Sequence, residues 1–391
     1  MTIIFFVHPD FLNSQSMPRF AGMIADGMHT RGHSVLTWSP KPLFYHLPFP
    51  QNIKKWMGYI DQYVVFPRQV KCRLKNFKKD VIFVFTDNAL GPWVPLVSNQ
   101  PHVIHCHDFL AQRSGLGEIP ENMTSWTGKL YQKFIRSGYR TGKNFISVSQ
   151  KTKEDLNRFL NNAPSTSEVV YNGLNQNYTR LDKKDAACLL SDIFEIDLKE
   201  GFILHVGGNQ WYKNRIGVIE IYNCWRETNK LNIPLLLIGE KPSQVIYSTY
   251  KVSPFKDDIH FISGVADENV RLAYAAASVF LFPSIAEGFG WPIAEAMASG
   301  CPVITTGEKP MSEVAGDAAF QIKVRPQNSE DILMWACQSA KMLDEVLSLS
   351  IEARNSIIDK GNANISRFNP ADTLDRIEFI YIDILRSFNH Q

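Results

Sequence analysis

Residues 283–302, PSIAEGFGWPIAEAMASGCP, decide the fold. Just before them, residues 278–282 (SVFLF) form a short continuous apolar run rich in β-branched and aromatic residues, the pattern of a strand covered on both faces. Just after the loop the punctuation is helical. Pro292 stands where a first helical residue belongs, Ala294, Ala296, Met297 and Ala298 favour helix, Gly300 is placed to cap the C-terminus, and Pro302 blocks continuation. The unit is therefore strand, glycine-rich loop, helix. At such a junction the amides of Phe289, Gly290 and Trp291 are expected to point freely out of the positive helix end, uncrowded at Gly288 and Gly290, which suits an anion such as a diphosphate. The helix dipole adds only roughly 0.3–1 kcal/mol, so other donors must converge there. Glu287 and Glu295 flank the turn, and a carboxylate accepts two hydroxyl protons at once, the need of a ribose diol or a sugar. Taken alone, the same two acids read equally as a surface loop residue and a dipole-favoured first-turn acid.

Outward from this stretch the alternation repeats. Residues 3–8, 34–39, 81–87, 103–108, 145–149 and 169–172 are short apolar runs in the first half, and residues 202–206, 234–238, 260–262, 278–282, 302–305 and 320–323 in the second. Helix-like or loop-like stretches separate them, the first helix spanning residues 19–31 with Gly32-His33 as its stop. The expected class is α/β, two parallel sheets with helices on both faces. No G-x-G-x-x-G follows the first strand, where His8-Pro9-Asp10 stands instead, which argues against a dehydrogenase.

The 391 residues suit two or three domains, and 45% hydrophobic with 20% charged residues is enough for sizeable cores. A net charge of +2 hides an asymmetry: residues 1–170 carry 20 Lys and Arg against 11 Asp and Glu, or +9, and the remainder carries −7. Six scattered cysteines with no C-x-x-C pair read as core thiols of a reducing compartment. The apolar start ends at Val7 without a basic leader and reads as a strand rather than a signal peptide, and no run approaches the roughly 20 apolar residues of a membrane span, so the chain is expected to be cytoplasmic.

Two basic stretches mark the first half. Between Lys54 and Asp80 eight Lys or Arg stand against two Asp, interleaved with Trp56, Met57, Tyr59, Val64, Val65, Phe66 and Phe77. Lys129, Lys133, Arg136, Arg140 and Lys143 step by four and three, a spacing that stacks all five on one side of a helix. Such a stripe reads either as a solvated face or as attraction to anionic lipid headgroups or a phosphorylated acceptor. No nucleic-acid motif accompanies the charge.

His105-Cys106-His107-Asp108 ends a strand, where ligands of open α/β sheets collect. Strand alternation is read as sending the two imidazoles to opposite faces, against chelation of a metal. Gly207-Gly208-Asn209-Gln210-Trp211-Tyr212-Lys213-Asn214 follows the first strand of the second set; its glycines admit a ligand to the backbone, and Lys213 offers a point charge to a diphosphate.

The string Glu287-Gly288-Phe289-Gly290, Pro292, Glu295-Ala296-Met297-Ala298, Gly300 and Pro302-Val303-Ile304 resembles the E-x7-E signature of retaining glycosyltransferases of the large family 4 (GT4). The resemblance implies a GT-B fold, with two Rossmann-like domains facing a central cleft. It places an acceptor-binding domain at 1–172, a nucleotide-sugar domain at 173–367, and a final helix at 368–391 crossing back to the first. By resemblance Glu295 holds the nucleotide ribose, Glu287 contacts the transferred sugar, and the loop at Gly288, Phe289 and Gly290 meets the diphosphate and sugar. Lys213 binds phosphate with Gly208 and Asn209 beside it, the Val265 backbone meets the nucleobase, His107 orients donor sugar or acceptor as a catalytic residue, and Asp108 shares the acceptor side.

Two departures stand out. Where relatives carry a glycine pair in the first loop this chain reads Gln15-Ser16-Met17-Pro18-Arg19, so Arg19 or the Ser16 hydroxyl is expected to supply an anion contact. Where relatives often carry an arginine this chain has Gly208, leaving Arg215 to compensate or Asn209 to hydrogen-bond the donor. The implied activity is retaining, metal-independent transfer of a hexose-type sugar from a nucleoside-diphosphate sugar to a glycan or lipid-linked acceptor, in bacterial-type surface polysaccharide or glycolipid assembly, at the inner face of a membrane. No cofactor is expected beyond that co-substrate, because no D-x-D lies near the motifs and Lys213 with the helix amides would neutralise the leaving diphosphate. The alternatives are a GT-B nucleotide-sugar epimerase and a catalytically silent nucleotide-sugar-binding scaffold.

Overall fold

Short strands buried on both faces need helices above and below them, and the chain meets that need twice. The computed structural model describes residues 1–12, 16–76, 80–174, 178–229 and 231–390, without the side chains of Leu12, Ser16, Gln51 and Asn52. The anion contact expected of the Ser16 hydroxyl, and the aromatic Phe77, lie outside the described residues. Two compact units are formed: Met1–Gly173 with Pro370–Gln391, and Leu174–Asn369.

The first unit runs β1 (Thr2–Phe6), α1 (Ser16–Thr30), β2 (Ser34–Trp38), α2 (Gln51–Ile60), a π-type turn at Asp61–Val65, α3 (Phe66–Leu74), β3 (Val81–Phe85), β4 (His102–Cys106), α4 (Leu110–Gly115), α5 (Trp126–Tyr139), β5 (Asn144–Ser147), α6 (Gln150–Phe159) and β6 (Thr166–Val169). Its parallel sheet has the order β2-β1-β3-β4-β5-β6. The second unit runs α7 (Lys183–Phe194), β7 (Ile203–Val206), α8 (Arg215–Thr228), β8 (Leu235–Ile238), α9 (Gln244–Lys251), β9 (Ile259–Ile262), α10 (Asp267–Ala276), β10 (Val279–Phe282), α11 (Trp291–Ala298), β11 (Val303–Thr306), α12 (Met311–Ala315), β12 (Phe320–Ile322), α13 (Ser329–Leu347) and α14 (Ile351–Ile365). Its parallel sheet has the order β12-β11-β10-β7-β8-β9.

The last helix, α15 (Pro370–Asn389), belongs to the first unit. Leu374, Ile377, Tyr381 and Ile384 recur at helical spacing and bury one stripe against Ile3, Phe5, Ile82 and Val84 of the sheet. Phe6, Phe66, Phe85 and Trp93 fill the other face. In each sheet the order reverses once, between β1 and β3 in the first and between β7 and β10 in the second, and such switch points open a crevice at the carboxyl ends of the strands.

Three expectations are corrected here. The sixth strand is residues 166–169 rather than 169–172: it is a half-buried edge strand with no continuous apolar run, and its pairing from Asn144↔Thr166 to Ser147↔Val169 sets its place. His105 and His107 share one face, both edge-on to Phe20 with ring centroids 5.4 and 4.3 Å away, because side chains two residues apart on a strand point the same way. Cys72 and Cys188 are exposed rather than core, while Cys106, Cys224 and Cys301 are buried, and all six thiols are free.

Candidate functional site

The loop after β7 is shaped by residues with special backbone needs. A single 3-10 turn, Trp211–Lys213, leads into Asn214, whose left-handed backbone (φ 52°) places its side chain to accept the Gly217 amide at 3.1 Å and cap α8. A Cβ on Gly217 would lie 2.5 Å from the Asn214 amide, so the cap requires glycine there. The Asn214 Nδ2 donates to the Pro283 carbonyl at 3.0 Å, and the Ile285 amide donates to the Tyr212 carbonyl at 2.7 Å. The loops after β7 and β10 are thereby stapled together at the switch point.

That staple sets the central contact. Lys213 Nζ lies 2.7 Å from Glu287 Oε1, which also accepts the Ser284 hydroxyl at 2.9 Å. Only 15% of the lysine side chain and 8% of the glutamate side chain reach solvent. The ammonium sits 5.2 Å from the Phe282 ring centroid and 5.5 Å from that of Tyr212. A partly desolvated lysine and carboxylate interact more strongly than a surface pair.

Beyond Glu287, Gly290 adopts φ 100° to start α11, a conformation that favours glycine. Phe289 is buried edge-on against Phe368, so only its backbone is offered to a ligand. Gly288, Phe289 and Trp291 each have an interaction partner within the protein. Glu295 is buried, and the Tyr274 hydroxyl donates to its Oε2 at 3.0 Å. Burial, then the Glu295 charge, pushes the Tyr274 phenol well above its ordinary value, keeping it a donor. Both acids of the motif are thus held in place by named partners.

The residues around Gly208, where relatives often carry an arginine, form a network of their own. Arg215 is buried above the Phe261 ring; its Nη1 donates to Asn209 Oδ1 at 2.7 Å and to the Glu240 carbonyl at 2.8 Å, and its buried Nε has no partner among the described residues. Burial pulls its pKa down to about 10. Asn209 Nδ2 in turn donates to the Lys241 carbonyl at 2.6 Å. Arg215 and Asn209 thus brace the segment that follows β8. A Cβ on Gly208 would meet only the ends of the exposed Gln210 and Glu240 side chains, at 2.5 and 3.0 Å, which can swing aside. Val265 is half-buried after β9, next to Gly264 at φ 72°.

His205, at the end of β7, escaped the sequence reading. Its Nδ1 donates to the Leu281 carbonyl of β10 at 2.9 Å, burial pulls its pKa down to about 3, and its Nε2 has no partner among the described residues.

The switch point of the first unit carries a hydrogen-bonded histidine and aspartate. His8, after β1, places Nε2 2.8 Å from Asp87 Oδ2, after β3, and Asp87 Oδ1 accepts the Ala89 amide at 2.9 Å. Burial raises the Asp87 carboxyl, but the hydrogen bond and charge of His8 outweigh it and hold the group below its ordinary value. His107 directly follows the next strand, β4; its Nε2 donates to the Thr86 carbonyl at 2.9 Å, leaving Nδ1 as the basic nitrogen. Burial lowers its pKa against the pull of Asp87. Asp108 accepts the Leu110 amide at 2.9 Å and starts α4, and Arg19 is exposed on α1. The His8–Asp87 pair was missed because its partners stand 79 residues apart and meet only through the pairing of β1 with β3. Among the described residues no group of three or more His, Cys, Asp or Glu has the geometry to hold a metal ion.

Two parallel α/β units, each with polar side chains gathered at its switch point, define a class of scaffold that receives ligands at the carboxyl ends of its strands. Comparison then gives the family. Residues 190–362 match the family "Glycosyl transferases group 1", and residues 17–178 match "Glycosyltransferase Family 4". The chain belongs to this glycosyltransferase family. It is 27% identical over 192 residues to the O-antigen chain mannosyltransferase B of Escherichia coli, covering 48% of this chain and 50% of that protein. It is 25% identical over 228 residues to the O-antigen chain mannosyltransferase RfbU of Salmonella typhimurium, covering 57% and 58%. The chain thus spans about half the length of the curated relatives it matches. In three dimensions it resembles HepE of Anabaena, solved in complex with UDP and glucose, with a TM-score of 0.71, 14% identity, and coverage of 98% of this chain and 100% of that one; this likeness speaks to the GT-B fold alone.

Proposed function

We propose that the chain is a retaining, metal-independent hexosyltransferase that moves a sugar from a nucleoside-diphosphate donor to a glycan or lipid-linked glycan acceptor during surface-polysaccharide assembly. The observation that carries this reading is the Lys213–Glu287 contact of 2.7 Å, at the switch point and one loop before α11. It puts a cation for a diphosphate beside a carboxylate for sugar hydroxyls. The names of the O-antigen mannosyltransferases support the acceptor class and make mannose the first sugar to test. The UDP and glucose complex of HepE supports a nucleotide-sugar donor.

In this reading Lys213 and the start of α11 stabilise charge on the leaving diphosphate. Glu295, steadied by Tyr274, accepts from the ribose diol, and the Val265 backbone meets the base. Glu287 fixes the sugar hydroxyls. His107, kept neutral by burial, uses Nδ1 to orient the reacting hydroxyl. Asp108 and Arg19 belong to the acceptor side.

The test is a panel of nucleotide sugars in thermal-shift and nucleoside-diphosphate release assays. One donor at 100 times its dissociation constant should stabilise the protein by about 2.7 kcal/mol. Release should require an acceptor glycan, persist in EDTA, and yield a product with the donor's anomeric configuration. Epimerised donor without acceptor would replace the reading with an epimerase, and binding without any turnover would replace it with a scaffold.

A further inference from the structure

We propose that one face of the first unit, made by residues 43–49, α2 and α5, is a docking surface for an anionic lipid bilayer. This goes beyond the transferase reading and stands without it. Folding normally hides large apolar side chains, yet here Met123 is 80% exposed, Trp126 73% and Trp56 57%, with Leu47, Leu130 and Phe134 also exposed. Isolated exposed apolar residues are ordinary; a contiguous set is not.

These residues share a rigid support. Buried Asp61 accepts the amides of Phe44 and Tyr45 at 2.9 Å each, which ties residues 43–49 to the end of α2. Trp56 packs edge-on to Tyr59 at 5.7 Å, Tyr59 stacks on Tyr131 of α5 at 5.4 Å, and the Tyr63 and Tyr131 hydroxyls are 2.6 Å apart. Tyr63 then meets Phe134 at 5.3 Å. The aromatic seam joins α2 to α5 and presents the outer residues without rearrangement.

The charge on this face selects the partner. On α5, Trp126, Leu130 and Phe134 stand four residues apart and exposed Lys129 and Lys133 lie between them. Arg136 and Arg140, placed on the same stripe by sequence spacing, are used inside the unit: Arg136 lies over the Phe159 ring at 6.0 Å, and Arg140 donates to the Phe159 carbonyl at 2.6 Å. On α2, Lys54 and Lys55 sit beside Ile53 and Trp56. Neither helix contains an acidic residue. Lysine is depleted from the cores of protein interfaces, whereas aromatic residues with flanking lysines suit the headgroup region of an anionic bilayer. Among the described residues no helix is long and apolar enough to cross a membrane, so the contact is one of surface association.

The experiment is flotation of the full chain with vesicles of phosphatidylcholine alone or with about a third phosphatidylglycerol. Wild type should float with the anionic vesicles only, less so as salt rises. The pair Lys129→Glu and Lys133→Glu should weaken binding at least about 25-fold, from roughly fivefold per lysine near such a surface. Trp126→Ser with Phe134→Ser should shorten retention, and Lys341→Glu on exposed α13 should float like wild type. All changed positions are exposed, and unaltered thermal melts will show that the fold is kept. Wild type that stays in the dense fraction, equal binding to neutral vesicles, or face variants that float like wild type would each overturn the proposal.

Discussion

At the switch point of the second unit a lysine meets a glutamate; at that of the first a histidine meets an aspartate. The distances are nearly the same, 2.7 and 2.8 Å, and both pairs bridge loops that follow neighbouring strands. Their supports differ. In the second unit the loops are joined by two hydrogen bonds to backbone carbonyls, one from the Asn214 side chain and one from the Ile285 amide, so main-chain geometry shares in delivering Lys213 and Glu287. In the first unit the arrangement rests on side chains: Asp87 caps a 3-10 run, and Asn88 links the His107 amide and the Asp108 carbonyl. Lysine brings a compact charge suited to phosphate, whereas histidine is the group whose proton state its surroundings decide. Under the proposed function, donor phosphate falls to the switch point of the second unit and hydroxyl chemistry to that of the first.

The largest expected effect tests that division. Lys213→Met should lower transfer by about 10²–10³-fold and weaken nucleoside-diphosphate binding. Glu287→Gln should lower turnover comparably, yet tighten nucleoside-diphosphate binding up to about fivefold, because the ligand no longer shares Lys213 with a carboxylate. Asp87→Asn should leave that affinity unchanged and raise KM for the acceptor. Isothermal titration beside steady-state kinetics separates these outcomes; an Asp87→Asn protein that loses diphosphate affinity as Lys213→Met does would break the comparison.

The same contrast explains what the sequence disclosed. Glu287-Gly288-Phe289-Gly290 was legible because a tight turn with φ 100° at Gly290 and a helix start within one residue of Pro292 leave a local signature. The strand runs were legible because burial on both faces makes them continuously apolar, and the stripe of α15 because it buries one side. His8–Asp87 and the Lys213 partner of Glu287 left no local trace, since long-range strand pairing brings them together. Helical spacing placed Arg136 and Arg140 on a solvated stripe; packing of α5 beside Phe159 gives both a partner there, Arg136 half-buried and Arg140 still exposed, which no spacing rule contains.

A smaller effect compares the two frameworks. A Cβ on Gly138 would lie 2.1 Å from the Gly91 carbonyl oxygen, where α5 crosses the segment after β3. A Cβ on Gly239 would lie 2.1 Å from the Gly207 carbonyl oxygen, and Gly239 also has φ 146°. Backbone cannot yield as a side chain can, so Gly138→Ala should cost about 1–3 kcal/mol in urea unfolding. Gly239→Ala should cost about 1 kcal/mol more through backbone strain, and it alone should weaken nucleoside-diphosphate binding because it displaces the loop that carries Lys213. Equal losses of binding in the two variants would show that the glycine-rich loop is no more exacting than the rest of the molecule.

The smallest effect concerns acid. His105 in the first unit donates to or accepts from the Tyr381 hydroxyl at 2.7 Å, and His205 in the second donates to the Leu281 carbonyl; burial pulls both down to about 3 from 6.5. Between those values the unfolded chain binds more protons than the folded one, so stability is full above pH 6.5 and falls as pH drops toward 3. At pH 5 both rings are neutral when folded, and each costs about 2 kcal/mol relative to pH 7, a figure set by the unfolded value alone. His205→Phe leaves the Leu281 carbonyl without its donor, about 1 kcal/mol at pH 7, and should remove one such increment from the loss between pH 7 and pH 5. His105→Phe should remove an equal increment, with its own cost at the Tyr381 hydroxyl. Urea titrations at the two pH values measure both, and a flattening in only one variant would mean that the two strand ends, alike in burial, are not alike in how firmly they exclude a proton.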